Sequence, residues 1–173
     1  TQDAVIQLRN EHGLVADDVA RIEARVCPLV LELMNRAEPR TGLEGKFSFQ
    51  HCAAAALIDG AGHDAQFTDA RVADPELAAL RRRISVEGDE QLGPWQTRVS
   101  IHTVDGRELG HFISAQKGNP GNPLTWDEVR AKFSVNAMCA LPPPQVELVA
   151  ATIENLEALD DTAQLMRLCR HAG

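Results

Sequence analysis

Hydrophobic positions along this chain change period several times, and each change marks an element. Residues 3–12 place Val5, Ile6 and Leu8 at helix-compatible spacing, and Gly13 follows where a left-handed C-terminal residue is favoured. Over 19–26 the period becomes two: Val19, Arg21, Glu23 and Arg25 alternate with Ala20, Ile22, Ala24 and Val26, which predicts a strand with one wet face. Pro28 interrupts this pattern, and 29–34 fits either a strand or a helix. Pro39, Gly42 and Gly45 make 35–45 a loop. Ser48 is placed to cap a helix over 48–59, with Gly60 and Gly62 beyond its end. From Cys52 to Ile58 that helix carries no polar group except a thiol, so it belongs in a core.

Asp74 followed by Pro75 opens another short helix, with Leu77 and Leu80 on its buried side. Strands are expected over 83–87, 97–104 and 108–114, the last two joined by Asp105-Gly106, a type I′ hairpin signal. Val99, Ile101 and Thr103 share one face of the middle strand, while Ser100 and His102 share the other. A Gly/Asn/Pro turn over 117–123 leads to Thr125 and Glu128, which form a capping box for a helix through about 138. After Pro142-Pro143-Pro144, the residues Val146, Leu148, Val149, Ile153, Leu156 and Leu159 form a helical stripe, and 161–164 caps a short final helix.

The fold class that follows is α+β, in two layers. An antiparallel sheet of about three to five strands is covered on its apolar face by helices that include 48–59. Residues 1–141 form this domain, and 142–173 form a C-terminal helical tail whose apolar stripe calls for a partner, either its own sheet or another copy of the chain, so a homo-oligomer is expected.

Composition narrows the function classes. With 44% hydrophobic and 24% charged residues, the chain is a folded globular protein. A formal net charge of −8 argues against nucleic acid or an anionic membrane as a general partner, but a small-anion pocket needs only a few local cations. No apolar run reaches the roughly 18–20 residues of a membrane span, and residues 1–13 lack a basic-then-apolar leader pattern, so a cytoplasmic or matrix-like location is expected. Cys27, Cys52, Cys139 and Cys169 are far apart and form no CxxC pair, so they indicate buried free thiols rather than a metal site or disulfide framework.

Candidate chemistry concentrates in 39–60, where Arg40, Glu44, Lys46 and His51 crowd against the start of the apolar helix. His51 can shuttle protons near neutral pH, or it can be a core-edge histidine bonded to backbone. Lys46 and Arg40 can hold substrate carboxylates, or Lys46 can pair with Glu44 while Arg40 stays solvated. Ser48 is a cap first and a ligand contact second. Both Lys46 and His51 can approach one helix N-terminus, which predicts a shared cleft. Elsewhere the bland readings prevail. Arg81-Arg82-Arg83 complements a helix dipole, His102 and His111 lack the company a metal needs, His63 and Asp64 belong to a solvated loop, and the turn beginning at Gly118 lacks the ending of a phosphate loop.

The blocks TGLEGKFSFQHCAAAALIDG, FTDARVADPELAALRRRISV, GNPGNPLTWDEVRAKFSVNA and IENLEALDD occur in the order found in the C-terminal part of the MmgE/PrpD family, which this chain resembles. The resemblance implies the lid domain of a cofactor-free lyase acting on 2-methylcitrate or a related di- or tricarboxylate, with the active site in a cleft against a large helical domain. It favours His51 as a catalytic residue, since in the family's decarboxylases the matching position looks like an active-site tyrosine; the residues' own chemistry adds Lys46 as a catalytic candidate and Arg40 and Ser48 as substrate contacts. It also implies that most catalytic groups come from the helical domain, whose lysine and histidine motif would precede Thr1, so the chain alone is expected to be inactive. The tail would pack on that helical domain. The alternative is a stand-alone ligand-binding or protein-interaction module that has lost catalysis.

Overall fold

The computed structural model describes residues 1–170. They form two compact units, the first Thr1–Asn122 and the second starting at Pro123. In the first unit, helix α1 (Gln2–His12) ends at Gly13, whose φ of 63° supplies the expected left-handed cap. Strand β1 (Val19–Val26) follows, with Ile22, Ala24 and Val26 buried and Arg21, Glu23 and Arg25 exposed. Val19 is also buried, out of phase with the rest, because a register shift between Val19 and Arg21 leaves Ala20 as an extra residue opposite the neighbouring strand. The ambiguous segment after Cys27 is helix α2 (Pro28–Leu33), with proline at its start.

Between the first two strands lie α2, α3 (Gly42–Gly45), α4 (Phe49–Asp59), α5 (Asp69–Val72) and α6 (Pro75–Arg81). Ser48 caps α4 by accepting from His51 N at 3.1 Å, and Gly60 closes it with φ 66°. Asp74 caps α6 through the amides of Glu76 and Leu77. Strands β2 (Ile84–Gly88), β3 (Thr97–Thr103) and β4 (Glu108–Ile113) complete a four-stranded sheet in the order β2-β1-β3-β4.

The α+β architecture agrees with the sequence, but the sheet is mixed rather than antiparallel. β1 pairs with β2 in parallel, Ile22 opposite Ile84, and the other two pairings are antiparallel. The cause is the connection: the chain from β1 to β2 crosses through the intervening helices and re-enters from the same end, as a parallel pair requires. The β3–β4 turn also differs from expectation. Gly106 takes φ 90° while no described non-glycine residue has positive φ, which rules out a type I′ pair at Asp105-Gly106. Gly106 N instead donates to Thr103 O, and Thr103 N to Arg107 O, a longer hairpin connection with glycine at the positive-φ position.

One sheet face is covered by α1, α4 and α6. Ile22, Ala24, Val99, Ile101 and Ile113 from the sheet meet Val5 and Leu8 of α1, the Ala53–Leu57 stretch of α4, and Leu77 and Leu80 of α6 in one core. Small alanines let α4 lie deep against its neighbours.

The second unit contains α7 (Trp126–Ala137), α8 (Pro143–Glu154) and α9 (Ala163–Leu168). The Thr125–Glu128 capping box starts α7 as expected. Arg130 of α7 pairs with Glu147, at 2.8 Å, and with Glu154 of α8. Val146, Val149 and Ala150 of the α8 stripe are buried, whereas Ile153 and Leu156 remain 38% and 46% exposed. No helix among the described residues is long and apolar enough to cross a membrane.

Candidate functional site

The loop before α4 folds tightly onto the segment 64–69. Gly42 N donates to Asp69 Oδ1 at 2.7 Å, and a Cβ on Gly42 would sit 1.8 Å from Phe67 O, so only glycine allows this approach. The first turn of α4 then divides three consecutive side chains among three surroundings. Phe49 is buried at the edge of an apolar cleft, Gln50 lines a polar one, and His51 enters the interior with no solvent exposure. A helix rotates about 100° per residue, which is why neighbours in sequence part company here.

His51 is held on both ring nitrogens. Nε2 lies 2.8 Å from Gln66 O, and Nδ1 lies 3.2 Å from Arg81 Nη1. A carbonyl can only accept and a guanidinium can only donate, so Nε2 carries the proton, Nδ1 accepts, and the imidazole is neutral. Burial, followed by the charges of Arg81 and Arg71, holds the ring below its ordinary pKa against the opposing pull of Gln66 O and Asp59. Phe67 closes the ring in edge-on at 5.6 Å. Arg71 bridges the ends of α4 and α6 by pairing with Asp59 at 2.5 Å and Asp74 at 2.6 Å.

Lys46 reaches the same 64–67 segment but in different surroundings. Its Nζ pairs with Asp64 at 2.9 Å, and both side chains are largely exposed. Its partner is therefore Asp64 and not Glu44, whose carboxylate accepts from Arg40 N at 2.7 Å. Ser48 is fully buried and its hydroxyl is occupied as the α4 cap. The structure does not bring Lys46 and His51 to a common open cavity.

What it does bring together is Arg40, Gln50, Arg81 and Arg82, around a cleft of about 470 Å³ whose one acidic lining residue is Glu38. Arg81 anchors the wall, its Nη1 donating to Val72 O at 2.9 Å as well as to His51. Among the described residues, the guanidinium groups of Arg40 and Arg82 and the Gln50 amide have no hydrogen-bond or ion-pair partner. Guanidinium groups and a free amide on a concave wall can hold an anion, with guanidinium forks matched to carboxylates. Among these residues no three His, Cys, Asp or Glu side chains gather to hold a metal ion.

Residues 1–158 match the MmgE/PrpD C-terminal domain. The chain belongs to the MmgE/PrpD family. It is 29% identical over 159 residues to a cis-aconitate decarboxylase of Mus musculus, covering 90% of the chain and 32% of that protein. Against a cis-aconitate decarboxylase of Homo sapiens the identity is 27% over 161 residues, covering 91% and 33%. The chain thus spans about a third of the length of the curated relatives it matches.

In this MmgE/PrpD domain, the arginine run 81–83 is where the sequence reading did not foresee the cleft. Its three members diverge: Arg81 turns to His51, Arg82 lines the cleft, and Arg83 Nη1 donates to Val19 O at 2.6 Å. A dipole argument treats them alike, and nothing in the run itself says otherwise. Gln50 carried a weak signal, being the one uncharged polar residue between the Ser48 cap and His51. Among the thiols, Cys52 is pushed up to about 11 by burial, so it is a poor nucleophile at neutral pH. His102 stays at the sheet surface, 3.5 Å from Glu23.

Proposed function

We propose that this domain is the substrate-covering part of an MmgE/PrpD lyase and that its arginine cleft takes one carboxylate of a small di- or tricarboxylate, 2-methylcitrate or a related acid. The observation that carries this reading is the convergence of Arg40, Arg81 and Arg82 with Gln50 on one cleft. The printed names of the relatives support a polycarboxylate substrate, since cis-aconitate is one. Removing or rearranging a group next to a carboxylate needs a base, an acid and cations; this domain contributes cations. Lys46 and His51 are engaged with Asp64, Gln66 and Arg81, so proton transfer by either requires one of those contacts to open, for which a helical domain of the same family is the natural partner. The chain alone therefore binds a carboxylate without turning it over.

The test is an NMR titration of the chain with cis-aconitate and 2-methylcitrate, beside activity assays of the chain alone and joined to a family helical domain. Shifts confined to the cleft residues, with turnover only in the joined form, are expected. Turnover by the chain alone, or shifts that bypass Arg40, Arg81 and Arg82, would overturn the proposal. Binding without turnover in the joined form would favour a module that has lost catalysis.

A further inference from the structure

We infer that His51 is a positioning residue for the carboxylate site proposed above and, resting on that reading, that it aims the Nε–Nη2 edge of Arg81 into the cleft without touching the ligand. The geometry of one guanidinium carries the inference. Arginine has five N–H donors in a rigid planar fork, two of them on Nη1. Arg81 directs Nη1 at Val72 O and at His51 Nδ1, which occupies both protons of that nitrogen. Its Nε and Nη2 meet no acceptor among the described residues, and the side chain lines the cleft. The free edge is the one that binds a carboxylate side-on through two parallel hydrogen bonds.

Two contacts on one nitrogen fix the plane of the guanidinium, where one would leave it free to swing. Val72 O comes from α5, and Nδ1 comes from the buried end of α4, so the wall of the cleft is tied to the core. His51 can accept on Nδ1 only because Gln66 O takes the proton on Nε2. The chain of contacts therefore runs from Gln66 O through the imidazole to Arg81, and each link fixes the direction of the next.

Calorimetric titration of citrate into the full chain and its variants tests this, with folding of each variant checked by circular dichroism. Arg81→Lys keeps the charge and loses the fork, and it is expected to weaken citrate binding about tenfold or more. His51→Phe keeps a ring but offers no acceptor, and it is expected to weaken binding about tenfold. His51→Asn places an amide oxygen near the position of Nδ1 and should recover affinity to within about threefold of the parent. If His51→Phe does not fold, His51→Gln replaces it; its longer amide extends toward Gln66, and it should lose affinity where His51→Asn retains it. A measurement without ligand stands beside these: ¹⁵N spectra at about pH 7 should show His51 protonated on Nε2 and bare on Nδ1. A proton on Nδ1 would overturn the positioning role whatever citrate does. Full citrate affinity in a folded His51→Phe or His51→Gln, together with a loss in Arg81→Lys, overturns the positioning role but leaves the cleft as a carboxylate site. Absence of citrate binding by the parent, or equal binding by Arg81→Lys, overturns both.

Discussion

Two clefts of nearly equal size lie in the unit Thr1–Asn122, about 470 Å³ and about 490 Å³, and their chemistry is opposite. The first is lined by Arg40, Gln50, Arg81 and Arg82; the second by Leu29, Leu33, Met34, Phe49 and Trp95. Helix α4 supplies a residue to each from adjacent positions, Gln50 and Phe49. Volume alone would rank the clefts as equals, and only the lining separates them. In the apolar cleft Leu29, Leu33 and Trp95 stay largely exposed while Phe49 at its edge is buried, whereas the arginine cleft keeps the Arg40 and Arg82 guanidinium groups without a partner among the described residues.

The sharpest way to break this contrast is to remove the two α4 side chains separately. Phe49 is 6% exposed, and Phe49→Ala should cost about 3–5 kcal/mol of stability by transfer and cavity terms together. Urea denaturation measures it. A loss below the lower end of that range would mean that the apolar cleft collapses around the gap, or that Phe49 is not part of the folded core.

The buried His51 ring adds a pH dependence. The unfolded imidazole titrates near 6.5, and the folded one is held lower, chiefly by burial. Between those values the unfolded state binds the proton and the native state does not, so stability rises with pH there. The contribution of His51 is thus complete above the unfolded value and falls as pH drops below it, until the native ring also protonates. Urea midpoints at a series of pH values between 5 and 7 should show this slope in the parent and lose it in His51→Asn. Glu23, Asp64, Asp74 and Asp105 are held below their ordinary values, so their contributions are lost at lower pH. An identical slope in the variant would assign the effect elsewhere.

Gln50→Ala sharpens the same contrast from the polar side. Gln50 is half-buried, its amide bonds no described residue, and its α4 neighbours carry the packing. Stability should move by no more than about 0.5 kcal/mol, while citrate affinity falls about three- to tenfold for one lost hydrogen bond. A stability loss comparable to that of Phe49→Ala would merge the two clefts into one structural feature.

Much of this was legible in the sequence wherever one short segment contained its own reason. Ser48, Gly60, Asp74-Pro75 and the Thr125–Glu128 box each cap a helix as read, because capping needs only residues a few positions apart. The alternation of β3 also held, with Thr97, Val99, Ile101 and Thr103 buried. Strand direction was not legible: alternation tells which face of β1 is wet, but not which strand lies beside it or which way that strand runs. The bulge at Ala20 escaped for a similar reason, since Val19 is buried only through its pairing with β3. The cleft was the least legible part. Arg40 belongs to a loop, Gln50 to α4 and Arg81 to α6, and no spacing rule joins positions that meet only after the chain has folded.

Lys46 offers the smallest expected effect and the clearest control. It was grouped with His51 because the two are five residues apart and near one helix start, yet its ammonium sits at the surface on Asp64 while His51 is enclosed. Exposed pairs of this kind gain little, because water and side-chain entropy offset the attraction. Lys46→Ala should leave the urea midpoint and the citrate affinity of the chain where they were. One local signal should still move: the hydrogen bond and charge of Lys46 hold the Asp64 carboxyl below its ordinary pKa, so NMR titration should find it higher in the variant. A rise at Asp64 with unchanged citrate binding would separate the surface pair from the arginine cleft. Loss of citrate binding in Lys46→Ala would instead place Lys46 at the carboxylate and require the boundary of that cleft to be redrawn toward Asp64.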